Sequence, residues 1–263
     1  MTEVLSIILN KGGTGKSTLT TNLSALLADR GHKVLLIDLD PQGNSSLAFG
    51  ENPETFDNTL YDVLLSDVNP EKVVVTVNEN LDILPSSSDS DLFELNYFTE
   101  WNKRDNPFIL LRDKLQDFIK NYDYVLIDTA PSFSTLTINS LGISTGIIVP
   151  FEASLFSSKG LIRLVNSIDK FRESLNPDLK ILGVVPIMID RRTNVNKESI
   201  RQAKNYLEKR DIRMFDTEIN RSIVFTDSVF YNSKPAVWVE PNHKEVKKYR
   251  TLLDEILNEI EKD

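Results

Sequence analysis

The sequence predicts an α/β protein, with a mostly parallel, twisted sheet and helices on both faces, in a single domain spanning residues 1–263. Three observations carry that prediction. Short apolar, β-branched runs alternate with amphipathic runs of helical period, the signature of βαβ units. Several of the strand-like runs are apolar throughout, as strands covered on both faces are. The chain of 263 residues suits one large α/β unit, and it carries no repeat, no low-complexity tract and no linker-like stretch that would divide it.

The elements follow in order. Val4-Leu5-Ser6-Ile7-Ile8-Leu9 reads as a buried strand. A glycine-rich loop comes next, then a helix with Leu19, Leu23, Leu26 and Leu27 on one face and Gly31 at the position of a C-cap glycine. Val34–Ile37 is the second strand. Leu81–Leu84, Tyr124–Ile127, Gly146–Val149 and Ile181–Ile187 are later strands, and Met214–Ile219 is a weaker one. Helical patterns cover Ile109–Lys120, Gly160–Ser174, Lys197–Arg210 and Lys244–Asp263. Right-handed crossovers between parallel strands place these helices on both sides of the sheet. Ser86-Ser87-Ser88-Asp89-Ser90-Asp91 reads as a short polar loop.

Composition excludes several chemistries. With no cysteine, disulfides, thiolate nucleophiles, zinc–thiolate sites and cysteine-ligated iron–sulfur clusters are ruled out. A net charge of −9 excludes a uniformly basic nucleic-acid binder and leaves room for a local basic patch. Charge is uneven: residues 51–105 hold thirteen acids against three bases, whereas residues 191–221 hold nine bases against five acids. No run approaches the ~20 apolar residues of a membrane span. Met1-Thr2-Glu3 leads straight into the first strand without the marks of a signal peptide, so the expected compartment is the cytoplasm. His32 and His243 have no evident partners and are assigned no chemistry.

The most informative stretch is Asn10-Lys11-Gly12-Gly13-Thr14-Gly15-Lys16-Ser17-Thr18, between a strand and a helix. Glycines let backbone N–H groups turn inward as an anion-binding nest, and the helix adds the positive end of its dipole. Lys16 is placed to neutralise β- and γ-phosphates and Ser17 to bind Mg²⁺, which makes the domain a P-loop NTPase. Two further segments end strands in acids: Asp38-Leu39-Asp40-Pro41-Gln42-Gly43-Asn44, and Tyr124–Ile127 followed by Asp128-Thr129-Ala130-Pro131. Ligands of open parallel sheets bind beyond the carboxyl ends of strands. Asp38 and Asp128 are therefore expected to hold Mg²⁺ through its waters, and Asp40 to orient the attacking water. The alternative for all three is that they cap the helices that follow.

The loop departs from the strict GxxxxGK[ST] pattern, with Asn10 at its first position and a second lysine, Lys11, before Gly12-Gly13. It resembles the deviant Walker A box of the ParA/MinD ATPases. The segment Asp38–Asn44 resembles the corresponding box of ParA-type partition ATPases, such as Soj, more than that of MinD. The likeness continues through Asp128, Pro131-Ser132, Leu136-Thr137, Asn139, Pro150, Gly160-Leu161, Met188, Asp190 and Arg192-Thr193, and covers most of the chain.

The resemblance implies an ATP hydrolase using ATP and Mg²⁺ that drives plasmid or chromosome partition. Residues Lys11–Thr18, that is Lys11, Gly12, Gly13, Thr14, Gly15, Lys16, Ser17 and Thr18, would hold the nucleotide. Met188, Asp190 and Asn220 would border the adenine, Ser17, Asp38 and Asp128 would serve the metal, and Lys11, Lys16 and Asp40 the reaction. It also implies a homodimer formed with ATP, in which Lys11 reaches the partner's phosphates, and a ParB-like centromere-binding protein that stimulates hydrolysis. The alternative for Lys11 is a second phosphate contact in cis or a surface lysine.

Nonspecific DNA is the further partner implied, with nucleoid association in the ATP state. Lys197, Arg201 and Lys204 form one stripe of their helix beside the apolar Ile200, Ala203 and Leu207, and Arg221 follows. The alternative is an ordinary solvated face. The late segment Ile219–Asp227 departs from the family, with Asn220 in place of proline and Val224 in place of a second arginine. A MinD-like membrane regulator is the other functional reading, and a metabolic P-loop ligase a third. The tail of Lys244–Asp263 is apolar on one face but ends in acids, which an anionic leaflet repels, so no membrane partner is expected and the tail is read as a packed helix.

Overall fold

The computed structural model describes residues 1–9, 11–88, 93, 106–154, 157–190 and 193–262. Asn10, Asp89, Ser90, Asp91, Arg192 and Asp263, named above, lie outside them. Seven strands form one sheet: β1 (Glu3–Ile7), β2 (Val34–Asp38), β3 (Val75–Asn78), β4 (Leu81–Leu84), β5 (Tyr124–Asp128), β6 (Gly146–Glu152) and β7 (Lys180–Ile187). Their order is β3-β4-β2-β5-β1-β6-β7, and every pairing except β3 with β4 is parallel. Six of the strands stand on the predicted apolar runs.

The α-helices among the described residues are α1 (Lys16–Asp29), α2 (Asn44–Leu47), α3 (Leu60–Leu65), α4 (Leu110–Leu115), α5 (Thr135–Ile143), α6 (Ser157–Leu175), α7 (Asn194–Glu208), α8 (Val224–Asn232), α9 (Ala236–Val239) and α10 (Lys244–Ile260). Side chains alternate across the strands, so each strand feeds two cores. Leu36, Leu126 and Ile148 pack with α1 and α10 on one face. Leu35, Ile37, Val125 and Ile127 pack on the other with α3, α4 and α5, and Ile147 and Val149 with α6 and α7.

Three local expectations change. Met214–Ile219 is not a strand, although Phe215 N donates to Val184 O (2.9 Å) and Ile219 N to Pro186 O (2.9 Å) beside β7. Between those bonds the backbone N–H groups of Asp216 and Thr217 go to the Glu255 carboxylate of α10, at 2.8 and 3.0 Å, so no ladder forms. The Ile109–Lys120 helix is interrupted: a 3₁₀ turn over Pro107–Ile109, then α4, then a second turn over Phe118–Asn121. Leu111, Leu115 and Ile119 keep their four-residue spacing and are buried across the break, which is why the period alone reads as continuous. The third is β3, unannounced in the sequence because its residues are at most half-buried at the sheet edge and its pairing is irregular.

The tail helix packs as expected. Val246, Tyr249, Leu252, Leu253 and Ile256 of α10 are buried against α1 and the sheet. The histidines do have partners: His32 meets the edge of Tyr124, and His243 Nδ1 caps α10 by accepting from Glu245 N at 3.2 Å. Leu252 is fully enclosed at the centre of this layer. Leu252→Ala should therefore cost about 2–5 kcal/mol, transfer and cavity terms together, read as a lower urea midpoint at unchanged m value.

Candidate active site

All strands parallel to β1 end on one edge, and the loops leaving β1, β2 and β5 meet there. After β1 the chain turns through Gly13 (φ 68°) and Gly15 (φ 84°), left-handed conformations that a side chain would strain. Gly15 is also the N-cap of α1 and supplies no side-chain cap, so the first-turn N–H groups remain open to an incoming anion. The Thr14 hydroxyl donates to Lys11 O (3.1 Å) and ties the loop to itself.

Lys16, the first residue of α1, is 6% exposed. Burial pulls its amine below the ordinary value, and the carboxylates of Asp128 and Asp40 oppose that shift. Parallel register sets Asp38 directly opposite Asp128 on β2 and β5, both fully buried. Burial, then the charge of Asp128, holds the Asp38 carboxyl well above its usual range, although it accepts from Asp40 N (3.0 Å) and Ser45 N (3.1 Å). Burial pushes Asp128 up to about 6. Ser45 Oγ donates to its Oδ2 at 2.8 Å, and the Ser17 hydroxyl lies near enough to favour the charged form. Asp128 Oδ1 is buried and has no hydrogen-bond partner among the described residues. Asp40 is 8% exposed and accepts from Gln42 N (3.1 Å).

Lys16, Ser17 and Asp40 border a cavity of about 600 Å³, and the fully buried Asp38 and Asp128 lie behind that lining. Gly12 to Thr18, Asp40 and Met188 line it, the last in a left-handed conformation (φ 55°). Lys11 does not line it, because its ammonium is turned to Glu152 on β6. Asp190 and Asn220 also stand back from it. Asp190 O accepts from Asn196 Nδ2 (3.0 Å) at the start of α7, and Asn220 is held by Glu245 of α10 (3.0 Å from Nδ2). The reading of the sequence missed Phe225, Thr226, Val229 and Phe230 of α8, which form the apolar wall opposite the loop. The i, i+4 spacing of Phe225 and Val229 was the available signal.

Of the cationic stripe, Lys197, Arg201 and Lys204 are exposed on α7 as the spacing predicts, with Ala203 and Leu207 buried behind them. Arg201 is held by Glu198 through two hydrogen bonds (2.9 and 2.7 Å). Arg221 is exposed near Glu152.

Comparison with known proteins agrees with this geometry. The AAA_31 family (AAA domain) matches residues 2–181. The sporulation initiation inhibitor protein Soj of Bacillus subtilis is 32% identical over 97% of this chain and 98% of its own. The chain belongs to the ParA/Soj-type partition ATPases. The chromosome partitioning protein ParA of Myxococcus xanthus is 30% identical over 97% of this chain and 88% of its own. A crystal structure of cobyrinic acid a,c-diamide synthase from Mycobacterium smegmatis, with bound ATP analog and magnesium, superposes with a TM-score of 0.84 at 28% identity. That match covers 98% of this chain and 94% of the other.

The buried carboxylates give the site a pH signature. Folded Asp128 titrates near 6 against 3.8 in the unfolded chain, so the folded state keeps a proton that the unfolded state has released. Stability of the metal-free protein should therefore fall as pH rises through that interval, on the order of a few kcal/mol across it for the pair of acids. Asp128→Asn should flatten that fall, because it removes both its own titration and the charge that raises Asp38. Urea unfolding in chelator between about pH 4 and 6.5 measures it. Equal slopes for the two proteins would contradict the assignment.

Proposed function

We propose that the protein is a dimerising ATPase of plasmid or chromosome partition, running on ATP and Mg²⁺. The observation that carries this reading is the division of labour between its two loop lysines. Lys16 is buried at the cavity against two carboxylates, whereas Lys11, five residues earlier, stands outside it with a side chain 53% exposed. A residue so placed is available to a second protomer and poorly placed for its own cavity.

The residues fit the expected cofactors. Two buried, adjacent carboxylates with one ammonium beside them lack a counter-charge, and Asp128 Oδ1 is an orphaned buried acceptor. Asp38, Asp128 and Ser17 would hold the metal, whose role is to neutralise charge on the phosphate oxygens. The loop 11–18 would cradle the phosphates with its backbone N–H groups, and Lys16 would stabilise charge developing in the reaction. Asp40, near the surface end of the acid pair, would orient the attacking water. Met188 and the wall of α8 are the groups best placed to enclose the base, in place of Asp190 and Asn220.

The dimer makes the terminal phosphate the condition for association, and hydrolysis its release, which is a two-state switch. A ParB-like partner would act by speeding that release. Nonspecific DNA would meet the exposed stripe of α7 and Arg221, with two patches side by side in the dimer and nucleoid association in the ATP state, and affinity would fall steeply with salt. The MinD-like alternative needs a free apolar tail face, and that of α10 is buried on α1. Among the described residues no helix is long and apolar enough to cross a membrane. One structural neighbour is a cobyrinic acid a,c-diamide synthase, so the fold alone does not choose an activity. The second lysine, which stands outside its own cavity, favours partition.

Lys11→Ala should keep nucleotide binding by the monomer and lose the ATP-dependent dimer in analytical ultracentrifugation. Undiminished dimerisation would remove Lys11 from the role. Asp40→Ala should bind ATP and dimerise but turn over at least about a hundredfold more slowly, the usual weight of a positioned base. Steady-state hydrolysis at the wild-type rate would refute water positioning.

A further inference from the structure

Lys11 and Arg221 share one carboxylate. Glu152 is the last residue of β6, and β6 lies beside β1 in register from Leu5 with Gly146 to Ile7 with Ile148. The loop that leaves β1 therefore begins next to the outer end of β6. Lys11 Nζ donates to Glu152 Oε2, and Arg221 Nη2 stands 3.6 Å from Glu152 Oε1. Arg221 is delivered by the chain that bridges Ile189 to Asn220, just beyond the pairing of Glu152 with Ile187. The Glu152 side chain is 17% exposed, against 53% for Lys11 and 71% for Arg221. The carboxylate is the anchored member of the trio, and the two cations are free to exchange.

We propose that Glu152 is a positioning residue for Lys11. In the nucleotide-free protomer it holds the ammonium in cis, turned from the cavity, and closure on a partner requires Lys11 to trade this carboxylate for the partner's phosphate oxygens. The inference deepens the proposed function and rests on Lys11 acting in trans. Exchange of one anion for another is cheap provided the anion left behind is not stranded in a mostly buried place. Arg221 meets that condition, because it stays beside Glu152 when Lys11 leaves. The two residues thus act in opposite directions: Glu152 restrains closure and Arg221 eases it. The restraint is that of one partly exposed ion pair, about two- to fivefold in equilibrium. A dimer releases two such pairs, so its association constant carries the square, about four- to twenty-fivefold.

The test uses the full chain in two variants. An amine-acylating reagent followed by mass spectrometry reads Lys11 directly in the nucleotide-free protein. Glu152→Gln should raise labelling of Lys11 about two- to fivefold while labelling of Lys16 stays constant, and Arg221→Gln should lower labelling of Lys11. In sedimentation with a non-hydrolysable ATP analogue and Mg²⁺, Glu152→Gln should strengthen the dimer by the squared factor and Arg221→Gln should weaken it. Labelling that rises at Lys11 and stays constant at Lys16 is a result that a merely structural role would not give. Equal labelling in wild type and Glu152→Gln overturns the anchor. Raised labelling with an unstrengthened dimer overturns the restraint. Should Glu152→Gln not fold, the Arg221→Gln protein decides by the sign of both changes. Wild-type protein that never dimerises with the analogue refutes the trans role of Lys11, and the labelling then still decides whether Glu152 anchors it.

Discussion

Two carboxylates, Asp38 and Asp128, face one another across a parallel pairing in which neither is exposed to water. Strand register imposes this, and the surrounding structure answers it. Ser45, in α2, serves both acids at once, its N–H donating to Asp38 and its hydroxyl to Asp128. The glycine turns of the loop bring Lys16 to the same place as a single positive charge. A loop that binds only phosphate would not need two buried acids behind it. In a low-dielectric setting like charges so close are costly until a cation joins them, and the raised protonation of both groups records that cost. The fold thus stores an unmet demand for positive charge at the edge of the sheet where the loop presents its open amides.

Much of this was legible in the sequence because it rests on local signals. Fully apolar strands, the glycine–lysine loop and acids at strand ends are each written within a few residues, and the pairing of Asp38 with Asp128 follows once two strands are adjacent. Long-range effects were not legible. Asn139, which the family pattern singles out, accepts from Leu111 N at 3.2 Å and joins α5 to α4, a role in the fold that no spacing announces. Asn22 likewise joins α1 to α9 by accepting from Val237 N at 3.0 Å. The apolar wall of α8 lies more than two hundred residues from the loop it faces.

The segment Met214–Ile219, between α7 and α8, shows the same limit from the other side. Its composition suits a strand, and it runs beside β7 with strand-like bonds at Phe215 and Ile219. What prevents a ladder is the tail helix. Glu255 takes the N–H groups of Asp216 and Thr217 and pairs with Arg213, while Glu245 takes Asn220 N (3.0 Å). Backbone donors that no ladder takes up find partners elsewhere, and here carboxylates of a distant helix accept from them. The acids of α10 that set it apart from a membrane-seeking tail are therefore structural ligands: Glu259 also binds Arg213 (2.9 Å), and Asp254 binds Arg30 (2.6 Å).

That bonding reshapes the cationic surface. Arg213, next in sequence after the stripe on α7, lies over the ring of Phe215 with both its acids attached, and is spent on the fold. Arg201 is committed to Glu198, an exposed acid that its guanidinium holds near 2. Of the cations in the stripe, Lys197 and Lys204 have no ion pair among the described residues, and Arg221 is shared with Glu152. If the proposed DNA binding uses these cations, two or three phosphate contacts per protomer would make a weak, salt-sensitive grip for a chain whose net charge is −9. Doubling them by association raises the number of phosphates engaged at once, and with it the affinity, by far more than a factor of two. On the proposed function, a surface this sparse would hold a polyanion only when two copies present it together, and the acidity of the monomer would then help to make attachment conditional on the nucleotide.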